Sequence, residues 1–254
     1  SASLVGSEMC IRDRCIREQY FLLKCLDMAQ TSRAIIATNH YHVGTDQYHV
    51  GTESNLHFYR KGETIPLISQ SIWQICRGLV RLSTLYPFGE EGLLAWAGPY
   101  MCFGSCFSYL HTYQATALSD ACLMCHTMLE IKTSPKLTQE LLPQLGKLFR
   151  QTQALLAIAG QRRVENRLHQ LLLLLEREFG QRVPDGTRLN VRLTHQDIAA
   201  AIGTTRVTVT RLLGKLKHQG CLSRDKSHHL ILKKGALGDS SDLFGFDKNT
   251  NYQI

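Results

Sequence analysis

Long apolar runs are missing from this sequence of 254 residues. The longest uninterrupted run is Ala154–Ala159, which is six residues, whereas a membrane-spanning helix needs about 20. The N-terminal part also lacks the basic residues, long apolar stretch and small-residue cleavage site that together mark an export signal. We therefore expect a cytoplasmic protein without a membrane segment.

Catalytic groupings are missing as well. No nucleophile, base and orienting group stand together in the chain, and His195 near Asp197 is better explained as part of a short helix. We therefore expect a protein that is not an enzyme.

Positive charge is present in excess and is confined to one segment. The chain has 29 Lys and Arg against 21 Asp and Glu, and 15 of the basic but only 6 of the acidic residues lie between positions 161 and 234. The rest of the chain is nearly neutral. Such asymmetry favours contact with a polyanion, most simply nucleic acid, although a solvated basic surface would look the same.

The chain divides into five regions by pattern. Residues 1–55 lack clear periodicity, and Ser1–Arg14 looks like translated adaptor sequence, so we treat 1–55 as a leader outside the fold. Residues 56–135 carry short apolar runs between turn residues, which predict an all-β sandwich or barrel. A helix over 136–160 follows, then a basic segment over 161–234. Residues 235–254 read as a flexible tail.

The elements of the middle regions can be read in more detail. Strands are predicted at Ile72–Cys76, Leu79–Leu85, Gly92–Ala97 and Ala121–Met124, and the second and third read as a hairpin. The helix over 136–160 carries a heptad seam, which favours pairing with a second identical helix; packing on its own domain is the alternative. We place Pro143 near the start of this helix. The seam comprises Leu141, Leu145, Leu148, Thr152, Leu155 and Ala159.

The strongest pattern lies between Thr194 and Gly220. A short helix capped by Thr194, a sharp turn at Gly203 and a second helix capped by Thr205 form a helix-turn-helix. The apolar positions of the second helix face inward, and its arginines face outward. A short strand, Leu189–Leu193, is predicted before the first helix, and Cys221–Ser223 with His229–Leu232 reads as a small wing.

The stretch LTHQDIAAAIGTTRVTVTRLLGKLKHQG resembles the DNA-binding domain of the CRP/FNR family of bacterial regulators, and its cyanobacterial NtcA-like members in particular. Two upstream runs, WQICRGLVRLSTLYPFGEEGLLAWAGPYMCFG and QTQALLAIAGQRRVENRLHQLLLLLEREFG, resemble the β-roll and dimer helix of that family. The resemblance implies an α+β protein. It would have an N-terminal double-stranded β-roll of the cupin-like, cyclic-nucleotide-binding type, a long dimerisation helix and a C-terminal winged helix-turn-helix.

The resemblance also implies roles for individual residues. Arg206, Val207 and Arg211 would contact bases, since arginine can donate two hydrogen bonds to guanine and valine can touch a thymine methyl. Valine replaces the glutamate common at this position in cyclic-AMP-type members, which implies a different half-site. Expected partners are double-stranded DNA, a second copy of the chain and RNA polymerase. The phosphate contacts implied by position are Thr194, Gln196, Thr205 and Thr208.

The effector implied by the resemblance stays unknown. The stretch 103–117, which matches the family's phosphate-binding segment, contains no Glu, Asp, Arg or Lys, and this argues against cyclic AMP. His111, Tyr113 and Phe103 are the candidates for an altered pocket. Alternatively, the region is simply core and the protein is a partner-binding module without an effector.

Cysteine is abundant, with nine residues, and supports a different hypothesis. Cys102, Cys106, Cys122 and Cys125 would form a redox or metal site in a sensing regulator. Cys122 to His126 also matches the C-x-x-C-H pattern of haem attachment, but that chemistry needs export. We predict no metal or certain cofactor and keep the redox or metal sensor as the alternative function.

Overall fold

The computed structural model of the protein describes residues 56–237. The elements of the N-terminal part are β1 (Leu56–Tyr59), β2 (Ser71–Arg77), β3 (Val80–Leu85), β4 (Glu91–Ala97), β5 (Cys102–Phe103), a short 3₁₀ helix (Ser105–Phe107), β6 (Tyr113–Ala117) and β7 (Ala121–Thr127). Helices α1 (Met128–Thr133), α2 (Pro135–Ala159) and α3 (Val164–Phe179) follow. The C-terminal part comprises β8 (Gly180–Val183), β9 (Gly186–Leu189), α4 (His195–Ala201), α5 (Arg206–His218), β10 (Leu222–Arg224) and β11 (Leu230–Lys233).

The seven N-terminal strands form two antiparallel sheets with orders β1-β7-β2-β5 and β4-β3-β6. Their inner faces share one apolar core, because side chains alternate between the two faces of a strand. Fully buried members of this core include Trp73, Ile75, Leu82 and Phe103. The predicted β3–β4 hairpin is confirmed, with Val80 opposite Ala97 and Leu85 opposite Glu91. The predicted α+β fold with an N-terminal β-roll is confirmed.

Helix α2 contacts the rest of the chain along one face. Ser134 caps it and Pro135 occupies its first turn, where a missing N–H costs nothing. Pro143 therefore lies two turns inside the helix and not near its start, which corrects our prediction. It leaves the carbonyl of Gln139 without its helical donor, and the proline itself is exposed.

Three leucines of the predicted heptad seam on α2 face the chain's own core, and the exposed apolar series is shifted by one residue. Leu141, Leu148 and Leu155 are buried against the chain's own cores, so they are not available to a partner helix. The exposed positions one residue further on are also large and apolar. Leu142, Phe149 and Leu156 are 61%, 61% and 74% exposed. We call these three residues the outer seam; of the other predicted positions, Leu145 is half-buried and Thr152 and Ala159 are exposed.

Helix α3 has a fully buried central segment. All five leucines from Leu171 to Leu175 are at most 4% exposed, because they contact α2, the roll and the C-terminal helices at once. Their cluster includes Trp96 from the roll and Ile198 from α4. Within residues 56–237, no helix is both long and apolar enough to cross a bilayer.

A third sheet, with order β10-β11-β9-β8, lies beside the C-terminal helices. The predicted strand Leu189–Leu193 is wrong. The strand is Gly186–Leu189, which pairs with β8 across a turn at Pro184 and Asp185, and residues 190–193 are irregular because Val191 turns inward to the core.

Gly78 provides a test of the packing between the turns of the roll. Its φ is +94°, and an added Cβ would lie 2.5 Å from the Asp120 carbonyl oxygen and 2.7 Å from the Ala121 Cα. Gly62 has a similar φ of +91° but open space around it. We expect Gly62→Ala to cost about 1–2 kcal/mol of unfolding free energy through backbone strain alone. Gly78→Ala should cost at least about 1 kcal/mol more, because the neighbouring backbone must move. Urea unfolding measures both, and equal losses would contradict this account.

Candidate nucleic-acid interface

The first helix of the predicted helix-turn-helix, α4, is fixed at its N-terminus by a capping box. The Thr194 hydroxyl oxygen accepts from the Asp197 amide at 3.1 Å, and the Thr194 amide donates to the Asp197 carboxylate at 2.8 Å. Helix α4 packs into the core through Ile198 and Ala199, which are fully buried. The turn follows at Gly203, whose φ of +59° suits glycine.

The second helix, α5, has one buried and one exposed face. Val209, Leu212 and Leu213 are at most 4% exposed and anchor it to the α3 core. On the opposite face Val207 is 78% exposed. A shallow groove on this exposed face is lined by Arg206, Val207, Thr210 and Arg211. All three predicted base-contact residues thus stand together on the N-terminal half of α5, where a recognition helix contacts base edges.

Three of the predicted phosphate contacts are threonines at the N-termini of α4 and α5, and the fourth is Gln196 on α4. The hydroxyls of Thr194 and Thr205 cap α4 and α5, and the Thr205 oxygen accepts from the Thr208 amide at 3.2 Å and lies 3.0 Å from the Thr208 hydroxyl. The Thr194 hydroxyl itself donates to Asp197 at 2.6 Å, so its proton is already committed. Gln196 is exposed and lines a small cleft against the roll with Arg81 and Asp197.

One contact of this surface carries no recognisable signal in the sequence. The Arg224 guanidinium on β10 donates to His195 Nε2 at 2.8 Å, and His195 Nδ1 donates to the Thr210 hydroxyl, also at 2.8 Å. This chain of hydrogen bonds links the wing to the exposed face of α5. Arg224 and His195 are 29 positions apart, so no local spacing reveals the contact.

The wing has its own polar anchor. Arg188 Nε on β9 donates to the Asp225 carboxylate at 2.7 Å, and that carboxylate also accepts from the His229 amide at 2.8 Å. The hydrogen bond from Arg188, followed by the bond from His229 and the nearby charges, lowers the pKa of Asp225 to about 2. This anchor holds the tight segment between β10 and β11 against β9.

An ion pair links α4 to the roll. Arg81 on β3 contacts Glu91 at 3.0 Å within the roll and Asp197 at 3.3 Å on α4. Asp197 is largely buried, and it also caps α4. One carboxylate therefore sets the start of the helix and its position on the roll.

The three candidates for an effector pocket differ in their access to solvent. Phe103 is fully buried in the roll core, Tyr113 is half-buried against that core and His111 is exposed. Phe103 is thus a member of the roll core, which favours the alternative that this region is simply core.

The four cysteines of the alternative hypothesis are not assembled into one site. Cys102 is buried and its thiol points to the Leu141 carbonyl oxygen, whereas Cys106 is exposed. Cys122 and Cys125 are three positions apart on β7 and so face opposite sides of the sheet. Residues 56–237 contain no group of three or more His, Cys, Asp or Glu that could hold a metal ion. The proposed metal site at these cysteines is therefore wrong for this part of the chain.

His195 makes the free energy of unfolding of the protein depend on pH. Burial, and then the charges of Arg224 and Arg206, lower the pKa of His195 below 6.5. Because the folded state favours the neutral ring, its stabilising contribution is present above about pH 6.5 and is lost as the pH falls below that value. We lower the pH from about 7.5 to about 5.5 and compare the free energy of unfolding. We expect it to fall less for His195→Gln than for the wild type.

Urea unfolding at the two pH values measures this difference. His218→Gln, at an exposed position in the last turn of α5, is the control for the loss of one histidine from the same module. His57, His126 and His229 also have lowered pKa values, so part of the pH dependence should persist. An unchanged pH dependence in His195→Gln would contradict the proposed contribution.

Comparison with known proteins agrees with this geometry. Residues 166–239 match the family model of the Crp-like helix-turn-helix domain. The global nitrogen regulator of Synechocystis sp. is 34% identical over 178 residues, covering 66% of this chain and 79% of that protein. The regulatory protein CysR of Synechococcus elongatus is 37% identical over 167 residues, covering 63% and 75%.

Solved structures show the same fold. A CRP-family regulator from Thermus thermophilus has a TM-score of 0.61 at 22% identity, covering 75% of this chain and 97% of that one. A CRP/FNR-family regulator from the same organism has a TM-score of 0.57 at 23% identity, covering 75% and 96%. At these identities the structures establish the fold, and the sequence relatives establish the family. The chain belongs to the CRP/FNR family of transcription regulators and carries the DNA-binding module of that family.

Proposed function

We propose that this protein acts as a homodimer that reads an inverted repeat in double-stranded DNA and regulates transcription. The observation that carries this proposal is the exposed face of α5, where Val207 is 78% exposed between two arginines while the opposite face is buried. An exposed valine flanked by arginines matches the edges of the bases in a major groove, which present guanine acceptors and thymine methyls.

Specific roles follow for the residues of this face. Arg206, Val207 and Arg211 contact bases, and Gln196, Thr205 and Thr208 contact phosphates, together with the N–H groups at the start of α5. Thr194 contributes through its position at the start of α4, since its hydroxyl proton is used by Asp197. Arg224, held near α5 by His195, adds positive charge on the wing side.

The outer seam supports the homodimer. Leu142, Phe149 and Leu156 are spaced by seven residues and are all exposed, and Leu145, Thr152 and Ala159 lie between them at the complementary heptad positions. Three large apolar side chains at this spacing on one free helix face match a second copy of the same helix. A two-fold dimer would place the two α5 helices about 34 Å apart, one turn of DNA.

Control by an effector, and the regions it would involve, also belong to this proposal. We assign residues 56–135 to a sensor roll, 136–160 to the dimer helix, 161–234 to the DNA-binding domain and 235–254 to a tail. Leader 1–55 and most of the tail lie outside the described residues. Arg81, bonded to both Glu91 and Asp197, provides a physical link from the roll to α4. We expect the protein to act with RNA polymerase, in the cytoplasm and without catalysing a reaction.

Replacement of the base-reading arginines tests the DNA proposal. After a preferred site has been selected from random duplexes with the purified protein, Arg206→Ala and Arg211→Ala should each weaken binding to that site by about 1–3 kcal/mol. Binding to random DNA should change much less, because a base contact is lost and not a general phosphate contact. Lys217→Ala, at an exposed position near the end of α5, is the matched control and should leave the preference for the selected site intact. Equal losses on both DNAs would contradict the assigned role.

Replacement of Phe149 tests the dimer. Phe149→Glu places a charge in the middle of the outer seam, and the cost of burying it should shift the protein toward monomer. Phe58→Glu is the control, since Phe58 is 51% exposed on strand β1 of the roll and not on α2. Sedimentation equilibrium measures the dissociation constant, and a dimer that is equally stable in both variants would contradict this seam.

A further inference from the structure

The register of two strands in the roll places Cys76 and Cys122 opposite each other. Ile75 pairs with Leu123, and Gln74 pairs with Met124, so the next position along each strand sets Cys76 against Cys122. A β-bulge follows, because Arg77 and not Cys76 is the next residue that pairs with Cys122. Both Cys76 and Arg77 therefore stand against Cys122.

This placement suits a covalent bond. Cross-strand neighbours in an antiparallel pair have Cα atoms about 4.5–5.5 Å apart, which lies within the range of about 4.4–6.8 Å that disulfides span. The side chains also share a face, because Cys76 and Cys122 are each two positions from the paired residues Gln74 and Met124. Both cysteines are partly exposed, so a small reagent can reach them.

The electrostatic surroundings distinguish Cys122 from the other thiols. A hydrogen bond from the Cys76 thiol, in opposition to burial, and then the positive charge of Arg77 lower the pKa of Cys122. Burial raises the pKa of Cys102 to about 12, and it also raises the pKa of Cys106 and Cys125. The thiolate is the reactive form of cysteine, so Cys122 is better prepared for attack than these three.

We propose that Cys76 and Cys122 form a redox site that closes to a cross-strand disulfide by exchange with a low-molecular-weight disulfide. The Cys122 thiolate attacks one sulfur of the reagent, whose S–S bond breaks, and the released thiolate takes up a proton. Cys76 then loses its proton and attacks the Cys122 sulfur, which forms the Cys76–Cys122 bond and releases the second thiol. The two protein thiols are oxidised and the reagent disulfide is reduced to two thiols.

The site is different from the four-cysteine cluster that the sequence indicates. Cys122 belongs to both, but its partner lies on β2 and not among Cys102, Cys106 and Cys125. The bond would tie β2 to β7 directly before the turn at Gly78, whose successor Leu79 packs into the α3 core. The proposal does not depend on DNA binding.

The experiment uses the full chain, reduced and then exposed to oxidised glutathione, with remaining thiols alkylated before peptide mapping. We expect linked peptides that join Cys76 to Cys122, and their loss after dithiothreitol. In Cys76→Ser the reaction should stop at a mixed disulfide of glutathione with Cys122. In Cys122→Ser neither a mixed disulfide at Cys76 nor a link should accumulate.

Cys125→Ser is the matched control, because Cys125 lies on the same strand but on the opposite face. It should form the Cys76–Cys122 link to the same extent as the wild type. The wild-type map is decisive even if a variant folds poorly. Recovery of both thiols alkylated, a stable mixed disulfide at Cys122 without the link, or a link that joins either of them to another cysteine would overturn the proposal.

Discussion

Burial of five consecutive leucines in α3 brings the roll, the long helix and the C-terminal helices together. A helix with one buried stripe contacts one neighbour, but Leu171 to Leu175 are buried all round the helix, so α3 must be enclosed by several elements at once. The roll contributes Trp96, α2 contributes Ile158 and the C-terminal helices contribute Ile198 and Val209 to the same cluster. Removal of this core from water holds the roll and helix α5 in one body.

The buried core determines where helix α5 lies. The residues on the opposite, exposed face of α5 determine what the helix can contact. Burial of Val209, Leu212 and Leu213 decides which side of α5 is free, and the free side then carries Arg206, Val207 and Arg211. The polar contacts refine this placement. His195 ties α5 to the wing, while Asp197 caps α4 and receives Arg81 from the roll. Arg81 therefore gives the roll a direct contact with the first helix of the helix-turn-helix.

Helix α2 shows why a sequence pattern can be nearly right and still name the wrong residues. Two heptad series, one residue apart, are both apolar: Leu141, Leu148 and Leu155 in one, Leu142, Phe149 and Leu156 in the other. The pattern predicts a helix with an apolar seam, but it cannot say which series contacts the chain's own core. Burial of the first series leaves the second exposed. The thiols are a second example, since the pairing of β2 with β7 sets Cys76 against Cys122, although the two residues are 46 positions apart in the sequence.

Local patterns in the chain were enough to predict the fold class, the family and which residues of α5 are exposed together. These depend on short-range features, namely apolar periodicity, capping threonines, a glycine turn and charge placement. Other outcomes came from the packed structure: Phe103 is core, Pro143 lies within a helix and Arg224 approaches α5 through His195. Residues 190–193 also leave the sheet. Each of these outcomes depends on contacts between segments that are distant in the sequence. A local pattern carries no information about such contacts.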